Sequence, residues 1–246
     1  MRTLVVVPTH NEADNVEAVV DEIVRRLPDA DVLVVDDDST DGTRSLVRDH
    51  PAFGERVRLL ERPTKLGLAS AYLDGFRVAL DGGYEAVAEI DADRSHDPSV
   101  LPTMVDIAGH GIDVVIGSRY VPGGAVAGWS HRRTWLSRWG NRYAAIVLGL
   151  AINDGTAGYR VYRTAALRRI DLDEIRSDGY VFQIEMTYRA VAAGMSVVEV
   201  PIVFRDRVSG HSKMSSQIVR EAFTRVTWWG MSDLFTLRRR HRAYRQ

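Results

Sequence analysis

This 246-residue chain predicts an α/β fold: a mostly parallel wound sheet flanked by helices. Three observations lead there. Short apolar runs, mostly β-branched, recur through the first two-thirds and read as buried strands. Amphipathic stretches of helical period lie between them. The polar clusters fall just after the runs, at the strand edge where wound sheets bind ligands.

The first run, residues 4–7, is followed by Pro8-Thr9-His10-Asn11-Glu12. Val16, Val19, Val20, Ile23, Val24 and Leu27 then recur at helical spacing. The second run, 32–35, opens into Asp36-Asp37-Asp38-Ser39, with Ser39, Thr40 or Asp41 available to cap the next helix. A third strand over 57–60 precedes a helix carrying Leu73, Phe76, Val78 and Leu80. The fourth, 86–90, ends on Asp91-Ala92-Asp93, and Ser95-His96-Asp97-Pro98 starts a further helix. The fifth, 114–116, ends on Gly117-Ser118-Arg119. Beyond Tyr120 the spacing predicts a Pro122-Gly123-Gly124 loop, a helix over 135–148, a turn-rich stretch at 154–158 and a helix over 183–193. Residues 196–204 read as a strand broken by Pro201 and therefore at a sheet edge. A last helix begins near Ser215 and leads to the basic tail Arg238-Arg239-Arg240-His241-Arg242. The reading is one catalytic region over 1–214 and a C-terminal amphipathic helix with basic tail over 215–246, without a transmembrane segment.

Composition narrows the function. Hydrophobic content of 45% and charged content of 26% are those of a folded globular chain. A formal net charge of -1 gives no general attraction to nucleic acid, and no such partner is expected. The absence of cysteine excludes disulfides, thiolate metal sites and cysteine nucleophiles. Met1-Arg2-Thr3 runs directly into a strand, without a signal-peptide core. The apolar stretch 144–152 is well short of the ~20 residues of a membrane span. A cytoplasmic protein is expected.

Asp91 and Asp93 carry the central chemical signal. Carboxylates two residues apart after a buried strand can share one hard cation, and Mg²⁺ or Mn²⁺ takes a few such oxygens plus substrate phosphates. An Asp among the three acids from Asp36 to Asp38 can accept hydrogen bonds from a ribose or base. No G-x-G-x-x-G follows the first strand and no G-x-x-x-x-G-K-S/T occurs, which argues against dinucleotide and P-loop sites. Arg119, Arg133 and Arg207, with Ser137, Ser212 and Lys213 near them in sequence, offer forked donors for phosphate.

Together Val7-Pro8-Thr9-His10-Asn11-Glu12, Val35-Asp36-Asp37-Asp38-Ser39-Thr40-Asp41-Gly42-Thr43, Gly67-Leu68-Ala69-Ser70-Ala71, Asp91-Ala92-Asp93-Arg94-Ser95-His96-Asp97-Pro98 and Gly117-Ser118-Arg119-Tyr120 resemble family 2 glycosyltransferases. Gly128-Trp129 with Arg133, Leu136-Ser137 and Asn141, then Asp154-Gly155-Thr156-Ala157-Gly158-Tyr159-Arg160, Gly179-Tyr180-Val181-Phe182-Gln183-Ile184-Glu185 and Arg207-Val208-Ser209-Gly210-His211-Ser212-Lys213-Met214 are similar to the polyprenol-phosphate (dolichol-phosphate) mannose synthases of that family.

The resemblance implies a glycosyltransferase A-type (nucleotide-diphospho-sugar transferase) fold, GDP-mannose as donor and a polyprenyl phosphate lipid as acceptor. By it Pro8, His10, Glu12, Asp36, Asp38, Lys65, Asp91, Ala92, Asp93, Arg207 and Lys213 bind the nucleotide sugar. Arg119, Arg133 and Ser137 take the acceptor phosphate. Asp91, Asp93 and Ser95 hold Mg²⁺ or Mn²⁺, and Asp91, Asp93, Arg119, Arg133 and Arg207 carry catalysis. His10 stands where Tyr is common, Asp38 where Asn is common, and Ser95 where some relatives have Gln. A UDP-glucose donor or a saccharide acceptor is the alternative, the latter needing a base such as Asp97, Asp154 or Glu185.

A lipid acceptor also implies contact with the cytoplasmic face of a membrane, made by the chain itself or through an anchoring partner protein. Ile218, Val219, Ala222, Phe223, Val226, Trp229 and Leu234 share a broad helical face beside the arginine-rich tail, a composition suited to an interfacial helix.

Overall fold

The computed structural model describes residues 1–206, 220 and 222–232. A seven-stranded sheet runs β3 (Val57–Glu61), β2 (Asp31–Asp36), β1 (Thr3–Thr9), β4 (Ala86–Glu89), β7 (Arg160–Arg163), β5 (Val114–Ser118), β8 (Val197–Pro201). All neighbours are parallel except β7, which is antiparallel to both β4 and β5. Because β7 reverses direction twice, β5 points the same way as β1, β2 and β4. Their C-terminal ends share one edge, and the loop that enters β7 joins them there.

Alternation along each strand splits the core into two layers, as a period of two requires. Val5, Val7, Val32, Val34, Ala88 and Val115 face α1 (Val16–Arg26), α2 (Thr43–Asp49) and α4 (Leu101–Gly109). Leu4, Val6, Leu33, Val35, Val87 and Ile116 face α3 (Leu68–Asp81), α5 (His131–Leu148), α6 (Thr164–Leu167) and α7 (Gly179–Ala192). Val226, on the helical stretch 222–232, belongs to this second layer. Among the described residues no helix is long and apolar enough to cross a membrane.

The five expected parallel strands form, and Pro201 ends β8 at the sheet edge as its missing N–H predicts. The chain then makes β9 (Val203–Arg205), which pairs with β6 (Ala125–Ala127) in a small second sheet. The helix expected from Trp135 starts at His131, where the Ser130 hydroxyl accepts a hydrogen bond from the Arg133 amide. Asp97 caps the turn before α4 by accepting from the Ser99 amide. The last helix expected from Ser215 is described only from 222 on, apart from residue 220, and the basic tail lies outside the described residues.

Candidate active site

A cavity of about 350 Å³ opens at the shared strand edge. Pro8, His10 and Glu12 line it after β1, Lys65 after β3, and Asp91, Ala92 and Asp93 after β4. These are the expected nucleotide-sugar residues, drawn together from three strand ends. Asp36 and Asp38 do not line it. Asp36 is fully buried, with its carboxylate accepting from Thr9, Ser39 and Arg44. Asp38 takes a left-handed backbone, φ 61°, and pairs with Arg44. Asp37 is the acid of this run that faces the cavity. Its carboxylate accepts from the Leu66 and Gly67 amides at 2.7 and 2.9 Å and pairs with Arg62, which fixes the 65–68 loop.

Asp91 and Asp93 are each held by a donor that aims them. The buried Tyr72 hydroxyl donates to Asp91 Oδ1 at 2.8 Å. The Ser95 amide donates to Asp93 Oδ1 at 3.0 Å. Among the described residues no three His, Cys, Asp or Glu side chains form a metal cage. Two carboxylates on a cavity wall nonetheless fit a hard divalent cation that completes its shell with water and diphosphate oxygens. Ser95 is 1% exposed and does not line the cavity, and its Oγ is buried without a hydrogen-bond partner among the described residues.

Behind this pair lies Glu89, fully buried at the end of β4. Gln183 Nε2 donates to its Oε2 at 2.8 Å, and Gln183 itself lines the cavity. Burial pushes the Glu89 carboxyl up to about 8, against the pull of the Arg160 charge and the Gln183 hydrogen bond.

A second, apolar cavity of about 100 Å³ runs between α5, α7 and the 222–232 helix. Leu136, Trp139, Tyr143, Ile184, Phe223 and Val226 are among its walls, and Ser137 reaches it too. Arg119, Trp129, Thr156 and Tyr180 line both cavities, so the polar chamber and the apolar groove share a wall.

Arg119 is 4% exposed and holds Asp154 through a two-pronged pair, Nε to Oδ2 at 2.7 Å and Nη2 to Oδ1 at 2.6 Å. Burial alone would lower its pKa, but the Asp154 charge and hydrogen bonds hold it above the ordinary arginine value. The guanidinium therefore stays charged. Its Nη2 also donates to Thr156, while Nη1 makes no hydrogen bond among the described residues. Arg133 lines neither cavity; it lies over the Trp129 ring at 3.9 Å and pairs with Asp206. Arg207 and Lys213 lie outside the described residues.

The glycosyl transferase family 2 model matches residues 4–171. The chain belongs to family 2 of the glycosyltransferases. It is 47% identical over 231 residues to polyprenol monophosphomannose synthase of Mycolicibacterium smegmatis, covering 94% of this chain and 87% of that protein. It is 47% identical over 232 residues to undecaprenyl-phosphate mannosyltransferase of Micrococcus luteus, covering 94% and 95%. Among solved structures, glucosyl-3-phosphoglycerate synthase of Mycobacterium tuberculosis in complex with Mn²⁺, UDP-glucose and phosphoglyceric acid superposes with a TM-score of 0.66. That likeness, at 18% identity over 93% of this chain and 79% of the other, shows the glycosyltransferase A-type fold.

In this family 2 glycosyltransferase several cavity residues were not singled out as site residues by the sequence: Asp37, Thr156, Asp178, Tyr180 and Gln183. Thr156 sits in the Asp154-to-Tyr159 segment, and Tyr180 and Gln183 in the Gly179-to-Glu185 segment, whose similarity to relatives was visible but whose place at the strand edge was not; Asp178 lies just before the second segment. Asp178 caps α7 and accepts from the Gly179 and Ala69 amides, joining the starts of α7 and α3 on the cavity wall. Arg160, also fully buried, donates to the Ala157 and Gly155 carbonyls and so fixes the Thr156 loop from behind.

Proposed function

We propose that this glycosyltransferase moves mannose from GDP-mannose to a polyprenyl monophosphate, giving polyprenyl-phosphate mannose and GDP with inversion at the anomeric carbon. The observation that carries the reading is the shared wall: Arg119, Trp129, Thr156 and Tyr180 line both the cavity that holds the paired carboxylates and the apolar groove. In this reading the nucleotide sugar takes the carboxylate-lined cavity, the phosphate-proximal end of the polyprenyl chain follows the apolar groove, and the acceptor phosphate lies between them beside Arg119. The two 47%-identical relatives, named for polyprenol and undecaprenyl-phosphate mannosyl transfer, support mannose as the sugar and a polyprenyl phosphate as the acceptor.

An acceptor phosphate is already anionic near neutral pH and needs no strong base. The acceptor oxygen bonds the anomeric carbon as the bond to the diphosphate breaks, and orientation with charge neutralisation supplies the catalysis. Asp91 and Asp93 would hold Mg²⁺ or Mn²⁺, with Tyr72 and the Ser95 amide aiming them. The bound cation would neutralise the departing diphosphate. Arg119 and Ser137, and Arg133 through Trp129, would orient the acceptor phosphate, while Arg207 and Lys213 would meet the donor. The bases a saccharide acceptor would need are engaged elsewhere. Asp154 holds Arg119, Glu185 is bonded to Ser177 and Arg189, Asp97 caps Ser99, and none of the three lines the cavity.

The catalytic region is assigned to 1–214 and the tail to 215–246, whose described helix packs on the core through Val226. The enzyme is peripheral at the cytoplasmic face of the membrane in this reading. The deciding assay offers radiolabelled GDP-mannose or UDP-glucose with purified polyprenyl phosphate and Mn²⁺ or Mg²⁺. Organic-phase label from GDP-mannose that EDTA abolishes is the expected result; label from UDP-glucose alone would replace the donor. Asp93→Ala should abolish transfer with little loss of folding, and metal-dependent activity unchanged in that variant would remove the metal assignment.

A further inference from the structure

α5 presents two faces with different chemistry. Leu136, Ser137, Gly140 and Tyr143 turn to the apolar groove, and Asn141, Ala144 and Leu148 are buried. On the other side Trp135 is 65% exposed and Ile146 69%, with Trp139 at 43% on the border of the groove. At ~100° per residue, Arg132, Trp135, Arg138, Trp139, Arg142 and Ile146 fall within an arc of roughly 120°. Around the axis Arg132 lies on one side of the three apolar side chains and Arg138 and Arg142 on the other, and none of the 18 residues of α5 is acidic.

The patch does not stop at the helix. Trp139 stacks on Phe223 at 5.5 Å, and Phe223 is itself 37% exposed, which carries the apolar surface onto the 222–232 helix. A large exposed apolar patch flanked by arginines on α5 is costly in water and needs a partner of matching chemistry. Aromatic rings seated at headgroup depth among arginines suit an anionic lipid surface.

We propose that the outer face of α5, continued by Phe223, is the surface on which the protein docks to an anionic bilayer. The proposal rests on the lipid-phosphate reading of the acceptor and says where that acceptor enters. Trp139 belongs to both the docking face and the groove wall. Docking α5 therefore sets the groove beside the lipid surface, and a polyprenyl chain can pass into it while its phosphate reaches Arg119. The membrane contact then lies mainly on α5 of the catalytic region, with Phe223 continuing it, and does not require the basic residues 238–242.

The test uses the full chain and vesicles free of polyprenyl phosphate, made of phosphatidylcholine alone or of phosphatidylcholine with phosphatidylglycerol. The wild type should bind the anionic vesicles more tightly, and salt should weaken that preference. Trp135→Ser with Ile146→Ser should cut binding on the order of tenfold or more. Arg132→Gln with Arg142→Gln should cut binding to anionic vesicles by a similar factor and leave neutral vesicles little changed. None of these four residues lines either cavity, so transfer to a short-chain, water-soluble polyprenyl phosphate should persist in both variants. Wild-type protein that ignores anionic vesicles, because another part of the chain or a second copy covers the face, would overturn the proposal. So would variants that bind as the wild type does. Failure of the substrate reading looks different: vesicle binding behaves as expected, yet no polyprenyl phosphate accepts label.

Discussion

Tyr72 and Glu89 show how much of the site is decided by side chains that do not line the cavity. The Tyr72 hydroxyl is buried between α3 and the strand edge, and its bond to Asp91 Oδ1 fixes which way that carboxylate points. Removing such an outer partner typically costs 10–100-fold in metal affinity or activity. Tyr72→Phe should therefore lower metal-dependent transfer by about that factor. Its melting temperature should stay close to wild type, because one hydrogen bond is worth only about 1 kcal/mol. Activity at the wild-type level would show that Asp91 does not depend on this bond. Glu89 makes a prediction of the opposite kind, on stability. Its carboxyl is raised from 4.5 to about 8 by burial, so the folded state holds the proton more tightly than the unfolded chain does. Its contribution is full below the unfolded value and is lost as pH rises through the folded one. In metal-free protein, stability should fall between about pH 5 and pH 8, and Glu89→Gln should flatten that slope. Equal slopes in the two proteins would place the titration elsewhere. The sequence made Asp91 and Asp93 legible because acids straight after a buried strand have little else to do. It could not separate Asp36, Asp37 and Asp38. Only the turn after β2 decides that the first is buried, the second faces the cavity and the third pairs with Arg44.

At the scale of elements, what the sequence showed and what it hid have the same cause. Strands β1, β2, β4 and β5 are mostly apolar runs buried on both faces, and such runs stand out, as does the half-buried edge strand β3 with its Val57, Leu59 and Leu60. β7 reads Arg-Val-Tyr-Arg and looks like a loop, yet it pairs with β4 and β5. Its Arg160 is tolerated in the core because carbonyls and the Tyr162 and Thr187 hydroxyls take its hydrogen bonds. No local pattern records that β7 pairs with β4 and β5, strands far from it in sequence. The Gly67 loop is a second place where distance along the chain conceals the reason for a residue. Gly67 has φ 96°, and a Cβ there would sit 2.8 Å from Asp178 Oδ2. Glycine is required both for the backbone and for the close approach of α7 to α3. Gly67→Ala should push Asp178 and the Asp37-bound loop apart, at a stability cost of about 1–2 kcal/mol. The KM for the nucleotide sugar should rise more than kcat falls, since the damage is to the wall of the donor cavity. Unchanged donor KM would show that the loop does not touch the donor.

On the scale of the whole molecule, the sheet edge supplies a polar chamber and the helices of one layer supply an apolar groove, joined at Arg119 and its neighbours. This arrangement predicts that the two halves can be impaired separately. Gly140 offers the means, because it lines the groove on α5 and a Cβ built there meets nothing within 4 Å. Gly140→Leu therefore puts a side chain into the groove without a clash at its root. Replacing a mid-helix glycine also favours the helix by up to about 1 kcal/mol. The melting temperature should hold or rise, which separates this variant from one that merely loosens the fold. Donor binding should be unchanged, because Gly140 does not line the polar cavity. Transfer to a long polyprenyl phosphate should fall by about tenfold, the scale of one or two displaced methylene contacts. A short-chain acceptor that ends before the obstruction should be used nearly as well as by the wild type. Equal loss with both acceptors would mean that the groove does not carry the lipid. Selective loss with the long one would tie the apolar layer, through a single added side chain, to the chemistry at the strand edge.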